Sequence, residues 1–286
     1  MSIFAMITTK HSGDYTPYAV GSFFTHTPFS PVDRFFLIDN DRSGVTGLPA
    51  SVNVIENPQP LSFAANVNQM LRVATEESAD LFFLNNDLIF TEGWLNPLAA
   101  QLPALLSPLS NREVQYETEG FTWKNALSLT DYIGRERELQ NLARFHRTRM
   151  QGYKSVISLP FFCIKIPHSV YSKVGELDES FGRGGAEDND YCLRACLAGF
   201  TVQYALSSYV LHFSGKSTWS GAESQSETAE RCQRFRSFFE QKWGAELVKL
   251  YIDQDMTPLE ADPALLELAK KEDFRSLLER MIARGK

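Results

Sequence analysis

A chain of 286 residues, 43% of them hydrophobic, can bury a full core as one large α/β domain or two small ones, which argues against disorder. Its net charge of −7 argues against broad attraction to nucleic acid or to an anionic membrane. No segment approaches the roughly 20 apolar residues of a membrane-spanning helix, and the stretch from Met1 to Ile7 is too short and lacks the basic start of a secretory signal, so the expectation is a cytoplasmic protein without a transmembrane segment.

In chain order, apolar runs at Ile3 to Thr8, Arg34 to Ile38, Val52 to Ile55 and Leu81 to Leu84 read as strands, and the stretch Phe63 to Thr75 reads as a helix. Such alternation predicts an α/β fold around a mainly parallel sheet. Ligands of open sheets of this kind collect at the carboxyl ends of the strands, where Thr8, Thr9, the run Asp39 to Asp41 and the run Asn85 to Asp87 fall. Asn111 to Lys154 is polar and reads as an insertion or lid, with Arg135, Arg137, Arg144, Arg147, Arg149 and Lys154 along a helical part. Val156 to Ile166 reads as a strand, Val202 to Leu211 as another, and Ser226 to Trp243 and Ala264 to Ala283 as closing helices. The cysteines Cys163, Cys192, Cys196 and Cys232 have no C-x-x-C spacing and fit reduced, mostly buried thiols.

The run from Gly184 to Asp190 concentrates three carboxylates, Glu187, Asp188 and Asp190, beside two glycines, just ahead of a helix that Gly199 stops. Acids in this place satisfy free N–H groups and complement the helix dipole. The same carboxylates can remove a proton from an attacking hydroxyl. Paired glycines allow close approach of a sugar, or simply a turn.

Taken together, Leu37 to Ser43, Phe63 to Asn68, Leu84 to Asp87 with Trp94 and Leu95, Val174 to Phe181, Glu187 to Asp190, and His212 with Ser217 resemble the family 2 glycosyltransferases of GT-A fold, most closely a rhamnosyltransferase-like branch. The resemblance covers about residues 3 to 245, in the expected order. It implies a Rossmann-like central sheet flanked by helices and an inverting sugar transfer from a UDP-, dTDP- or GDP-sugar to a glycan or lipid-linked glycan, usually with Mn²⁺ or Mg²⁺. Residues 1–245 would form the GT-A domain, with 1–100 as the nucleotide-sugar half and 101–220 as the acceptor half carrying the insertion at about 111–154. Residues 246–286 would form a C-terminal helical extension. Peripheral association with a membrane is compatible with this reading; nucleic acid is not an expected partner.

A nucleotide diphosphate leaving group develops negative charge, which a hard divalent cation held by oxygen ligands offsets. Asp87 is the candidate ligand; Asn85 stands where many relatives place a second aspartate. By resemblance His212 completes the metal site, Asp39 contacts the base or ribose, and Thr8, Thr9 and Asn68 line the same pocket, although Met70 occupies a frequent glycine position. Asn85 and Asn86 belong to the same donor-side motif, and Lys216 is a candidate phosphate contact. Asp188 is the preferred general base, with Glu187 the alternative, and Asp190 reads as a cap or an organiser of Arg194.

Other motifs fail. Gly215-Lys216-Ser217 imitates the end of a P-loop, but Val210 occupies the place of its first glycine. Asp39 to Gly44 imitates a calcium loop, but Ala50 stands where the closing glutamate belongs. Gln233 to Arg236 resembles part of the Q-x-x-R-W signature of processive synthases, with Ser237 in place of Trp. A sugar-nucleotide pyrophosphorylase would need a glycine-rich N-terminal loop, whereas Thr8 to Gly13 offers one glycine. From a different class, a catalytically silent glycan- or nucleotide-binding module could share the fold.

Overall fold

The computed structural model describes residues 1–113, 117–118, 121–122, 128–216 and 223–284. Its first half alternates strand and helix: β1 (Ser2–Thr8), α1 (Thr16–His26), β2 (Arg34–Asp39), β3 (Val52–Glu56), α2 (Phe63–Glu76), β4 (Asp80–Asn85), β5 (Leu88–Phe90) and β6 (Ala104–Ser110). The insertion supplies the hairpin β7 (Glu117–Thr118) and β8 (Phe121–Thr122), then α3 (Leu129–Tyr132), α4 (Glu136–Arg149) and β9 (Tyr153–Ser155). The remainder holds β10 (Cys163–Ile166), α5 (His168–Val174), α6 (Glu187–Leu197), β11 (Thr201–His212), α7 (Gln225–Trp243), α8 (Ala245–Tyr251), α9 (Thr257–Glu260), α10 (Pro263–Lys270) and α11 (Phe274–Arg284).

The central sheet runs β3-β2-β1-β4-β10-β6-β11-β5, with β9 also paired to β11. Its β3-β2-β1-β4 block is parallel. Strand β10 enters antiparallel to β4 and β6, while β6 and β11 are parallel. In β1 the side chains alternate between two cores: Ile3, Ala5 and Ile7 face one, Phe4 and Met6 the other. Both faces are covered, which is why the strand reads as a continuous apolar run.

One core receives α2, α5, α6 and the C-terminal helices, since Leu247, Leu250, Leu265, Leu277 and Met281 share it with Ile3 and Tyr191. The other holds α1 through Ala19, Val20 and Phe23, with Trp94. Ser62 caps α2 by accepting from the Ala65 N–H, and a reciprocal Ser224–Glu227 box starts α7, each satisfying N–H groups that a helix start leaves free.

The predicted elements need three adjustments. Residues 156 to 162 are not strand; β9 ends at Ser155 and β10 begins at Cys163. The single closing helix expected at Ala264 to Ala283 is two, α10 and α11, separated at Glu272, whose φ is 56°. The acids of the Glu187 run occupy the first turn of α6 instead of preceding it. Cys163, Cys192 and Cys196 are buried free thiols, whereas Cys232 is exposed.

Candidate active site

Parallel register brings the polar strand ends together: Thr8 pairs with Asp39, and Ile7 with Asn85. Antiparallel pairing then adds a fourth contributor. Leu88 of β5 faces His212 of β11, and the Phe213 N–H bonds the Asp87 carbonyl at 3.0 Å, so Asp87 and His212 meet although they are remote in sequence. Asp87 Oδ1 lies 3.4 Å from His212 Nε2, with the aspartate fully buried. Neither atom makes a hydrogen bond among the described residues, nor does His212 Nδ1. The other carboxylate oxygen, Oδ2, accepts from the Lys216 N–H at 3.1 Å. Phe162 stacks on the imidazole with centroids 4.7 Å apart and fixes its plane.

A buried carboxylate oxygen and an imidazole nitrogen, adjacent and uncommitted, fit one divalent cation of the Mn²⁺ kind, which accepts both oxygen and nitrogen donors. Among the described residues no cluster of three or more His, Cys, Asp or Glu side chains surrounds such a cation. The protein offers a two-residue seat whose remaining positions would fall to a ligand or water. Asn85, with its own Oδ1 unpartnered, lines the same cavity as His212.

That first cavity, about 410 Å³, extends from Asn85 and His212 past Phe161 and Phe162 to Gly184, Gly185, Glu187 and Asp188. A second, of about 750 Å³, lies beyond the carboxylates and shares Glu187, Asp188, Gly185, Pro160 and Arg112 with the first. The two acids therefore stand where both spaces meet.

Their placement follows from the glycine pair. Gly185 has φ 127°, and a Cβ there would land inside the Phe235 ring of α7. Ala186 follows in the left-handed region at φ 66°, turning the chain into α6. Glu187 is 5% exposed and accepts from the Gly185 N–H. Burial, then the neighbouring Asp188 charge, pushes its carboxyl up to about 7, against the pull of backbone N–H groups and Arg231. Asp188 is half-buried and accepts from the Asn189 N–H at 2.8 Å; burial raises its pKa as well. Asp190 points away into a buried network, 2.8 Å from both Arg194 Nε and Trp243 Nε1 and 2.7 Å from Lys242 Nζ.

Several residues read as ligand contacts are engaged in holding loops. Asn86 donates to Thr8 Oγ1, Ser12 Oγ and Thr16 Oγ1 at 2.9–3.1 Å, tying down the turn that follows β1. Thr9, on the same turn, pairs its hydroxyl with Ser12 Oγ at 2.9 Å. Asn68 brackets Leu177, accepting from its N–H at 2.8 Å and donating to its carbonyl at 3.0 Å, and it lines neither cavity. Asp39 accepts from the Ser43 N–H at 2.7 Å and its hydroxyl at 2.9 Å. Lys216 is half-buried beside Asp87 through its backbone, and Ser217 lies outside the described residues.

The arginines along the helical part of the insertion do not line these two cavities. Helix α4 lays Leu139, Leu142, Ala143 and His146 inward; Arg135, which precedes its first turn, meets Glu138, and Arg144 and Arg147 on the helix meet Glu92. None of Arg135, Arg137, Arg144, Arg147 and Arg149 lines a cavity that reaches the carboxylates.

Sequence reasoning missed Arg231 and Arg112. Arg231 lines the first cavity, donating to the Gly184 carbonyl at 2.9 Å and pairing with Glu223 at 2.9 Å. Arg112 borders both spaces. Each stands in a charged segment with no spacing signal, so only the folded chain reveals its position.

No family model matches the chain, and no curated protein matches it. Among solved structures, it is similar to the crystal structure of GalNAc-T7 with UDP, GalNAc and Mn²⁺, at 13% identity and a TM-score of 0.53. The match covers 74% of this chain and 43% of that one, so the chain spans less than half of the longer protein. At this identity the likeness is one of fold: the chain has a GT-A, Rossmann-like α/β fold with helices on both faces of its sheet.

Proposed function

We propose that the chain is a glycosyltransferase of the family 2, rhamnosyltransferase-like kind, moving a sugar from a nucleotide-sugar donor to a hydroxyl of an acceptor with inversion. The observation that carries this reading is the junction of two cavities at Glu187 and Asp188, with His212, which stands 3.4 Å from the buried Asp87, also lining the first. A similar fold has been solved with UDP and Mn²⁺, which supports placing the donor, a UDP-, dTDP- or GDP-sugar, in the first cavity.

Asp87 and His212 would hold Mn²⁺ or Mg²⁺, which when bound offsets the charge that develops on the departing diphosphate. Arg231, paired with Glu223, lines the same cavity, as do Ser214 and Gly215 just ahead of Lys216. Asp188, facing both spaces, takes the proton of an acceptor hydroxyl that enters from the second cavity. As that O–H bond breaks, the oxygen bonds the anomeric carbon, and the electron pair of the sugar–phosphate bond leaves on the phosphate oxygen. One displacement of this kind inverts the centre. Glu187, with its raised pKa, is the partner that keeps a proton near neutrality and limits the charge beside Asp188. Asp39 retains acceptor capacity for a ribose or base in addition to its bonds with Ser43.

Residues 1–245 would carry this activity in the cytoplasm, without need of a transmembrane segment; among the described residues no helix is long and apolar enough to cross a membrane. Thermal unfolding across UDP-, dTDP- and GDP-sugars, with and without Mn²⁺, tests the reading, because a ligand of the folded state raises the midpoint. One nucleotide class should stabilise the chain, more strongly with metal. No shift with any of them would overturn it.

A further inference from the structure

The second cavity has an unequal lining. It is lined by Ile157 and Tyr204, by Phe235 of α7, and by Tyr251, Ile252 and Met256 from the end of α8 and the segment after it. Residues beyond 245, which read in sequence as an extension, thus line the same space as the carboxylates. Among the described residues Arg112 is the cation that lines it, and three acids, Glu113, Glu187 and Asp188, lie around it. Even with Glu187 holding its proton, a phosphate or carboxylate bound there would meet the two acids Glu113 and Asp188 against the cation Arg112. Tyr251 is 4% exposed, and its hydroxyl, buried toward Cys196 and Cys192, has no hydrogen-bond partner among the described residues. The volume, about 750 Å³, is that of a site for a drug-sized ligand, and its lining mixes apolar side chains with polar ones such as Ser158, Asn189 and Gln254 in similar measure.

We propose, resting on the function above, that the segment from Tyr251 to Met256 selects the acceptor. The acceptor is a neutral glycoside with an apolar aglycone. Its aglycone packs on Phe235, Ile252 and Met256 while the free sugar hydroxyl reaches Asp188. The chain's C-terminal part is then a specificity wall of the site itself.

The test uses the full chain and the donor found by thermal screening, with methyl, octyl and 4-nitrophenyl glycosides and a glycosyl diphosphate lipid analogue as acceptors. The octyl and 4-nitrophenyl glycosides should show a KM roughly tenfold or more below that of the methyl glycoside, the size of effect an apolar pocket supports. Met256→Glu, at a position 48% exposed and so safe for folding, and Ile252→Ser should remove most of that preference. Donor affinity by calorimetry should hold, since neither residue lines the first cavity. Saturation-transfer NMR should show octyl glycoside resonances in contact with the wild-type protein and weakened contact in Met256→Glu. Equal KM values for methyl and octyl glycosides, preference for the diphosphate lipid, or unchanged KM in both variants would each overturn the proposal. Those outcomes leave sugar transfer standing, whereas absence of donor binding and transfer altogether would remove the proposed function itself.

Discussion

Asp87 Oδ1 and His212 Nε2 stand 3.4 Å apart in a buried corner, without hydrogen-bond partners among the described residues. Leaving such groups unsatisfied is costly unless a ligand completes them. Asp87→Ala should therefore weaken Mn²⁺-dependent binding of the nucleotide diphosphate by at least roughly 10–100-fold, since even outer-shell partners of a metal are worth that much. His212→Ala should lose less and recover in part with excess Mn²⁺. Calorimetric titration with and without metal reads both, and equal affinity in wild type and Asp87→Ala would remove the pair from the metal seat.

At the cavity junction the test concerns the proton. Asp188→Asn keeps size and much of the hydrogen bonding, so donor should still bind while turnover falls by roughly 10²–10⁴-fold. Glu187→Gln should cost less. The reverse order would assign the base to Glu187, and comparable large losses would mean that the two act as a unit. NMR of the product before mutarotation should show the inverted anomer; retention would exclude a single displacement.

Stability should depend on pH through Glu187. Its folded-state carboxyl is raised to about 7, above the ordinary value of 4.5, because burial disfavours the charge. The folded state therefore holds the proton more tightly than the unfolded one. Its advantage is full below about 4.5 and is lost as pH rises toward 7. Glu187→Gln, which never ionises, should match wild type near pH 4.5 and exceed it at pH 8 by an amount on the order of 3 kcal/mol. Denaturant midpoints at the two pH values decide it; an equal difference at both would show that the carboxyl is not perturbed.

Gly185→Ala should destabilise the fold by roughly 1–3 kcal/mol, because it combines an unfavourable backbone conformation with collision against Phe235. Adding Phe235→Ala should restore only the steric part. Full recovery in the double variant, read by urea unfolding, would show that the backbone carries no strain.

Reversal of Arg144 and Arg147 to Glu should leave acceptor KM unchanged at low salt, where a charge effect would be largest. Both arginines meet Glu92, and neither lines the two cavities that share the carboxylates. A raised KM would assign these arginines a part in acceptor binding.

Local chemistry was legible in the residues themselves. Apolar runs ending in polar residues marked β1, β2 and β4, because strands covered on both faces must be apolar throughout, whereas the half-exposed edge strand β3 showed a mixed run. The Glu187 run announced a helix start, and Gly199 its stop, because chain ends of helices need acids, caps and left-handed residues. Residue types suited to proton transfer and metal binding could likewise be read at Asp188, Asp87 and His212. The sequence could not say which polar strand ends remain free. Asn86 and Thr8 have the same character as Asn85, yet they hold the turn after β1, and Asn68 holds Leu177; a hydrogen-bonding group serves whichever partner the fold brings near. Tertiary structure alone decided that the β5–β11 register sets Asp87 against His212, that Arg112 and Arg231 reach the cavities, and that Ile252 and Met256 close the second one. Local propensity acts over a few neighbouring residues, whereas these contacts join distant segments that only the packing of the whole chain brings within reach.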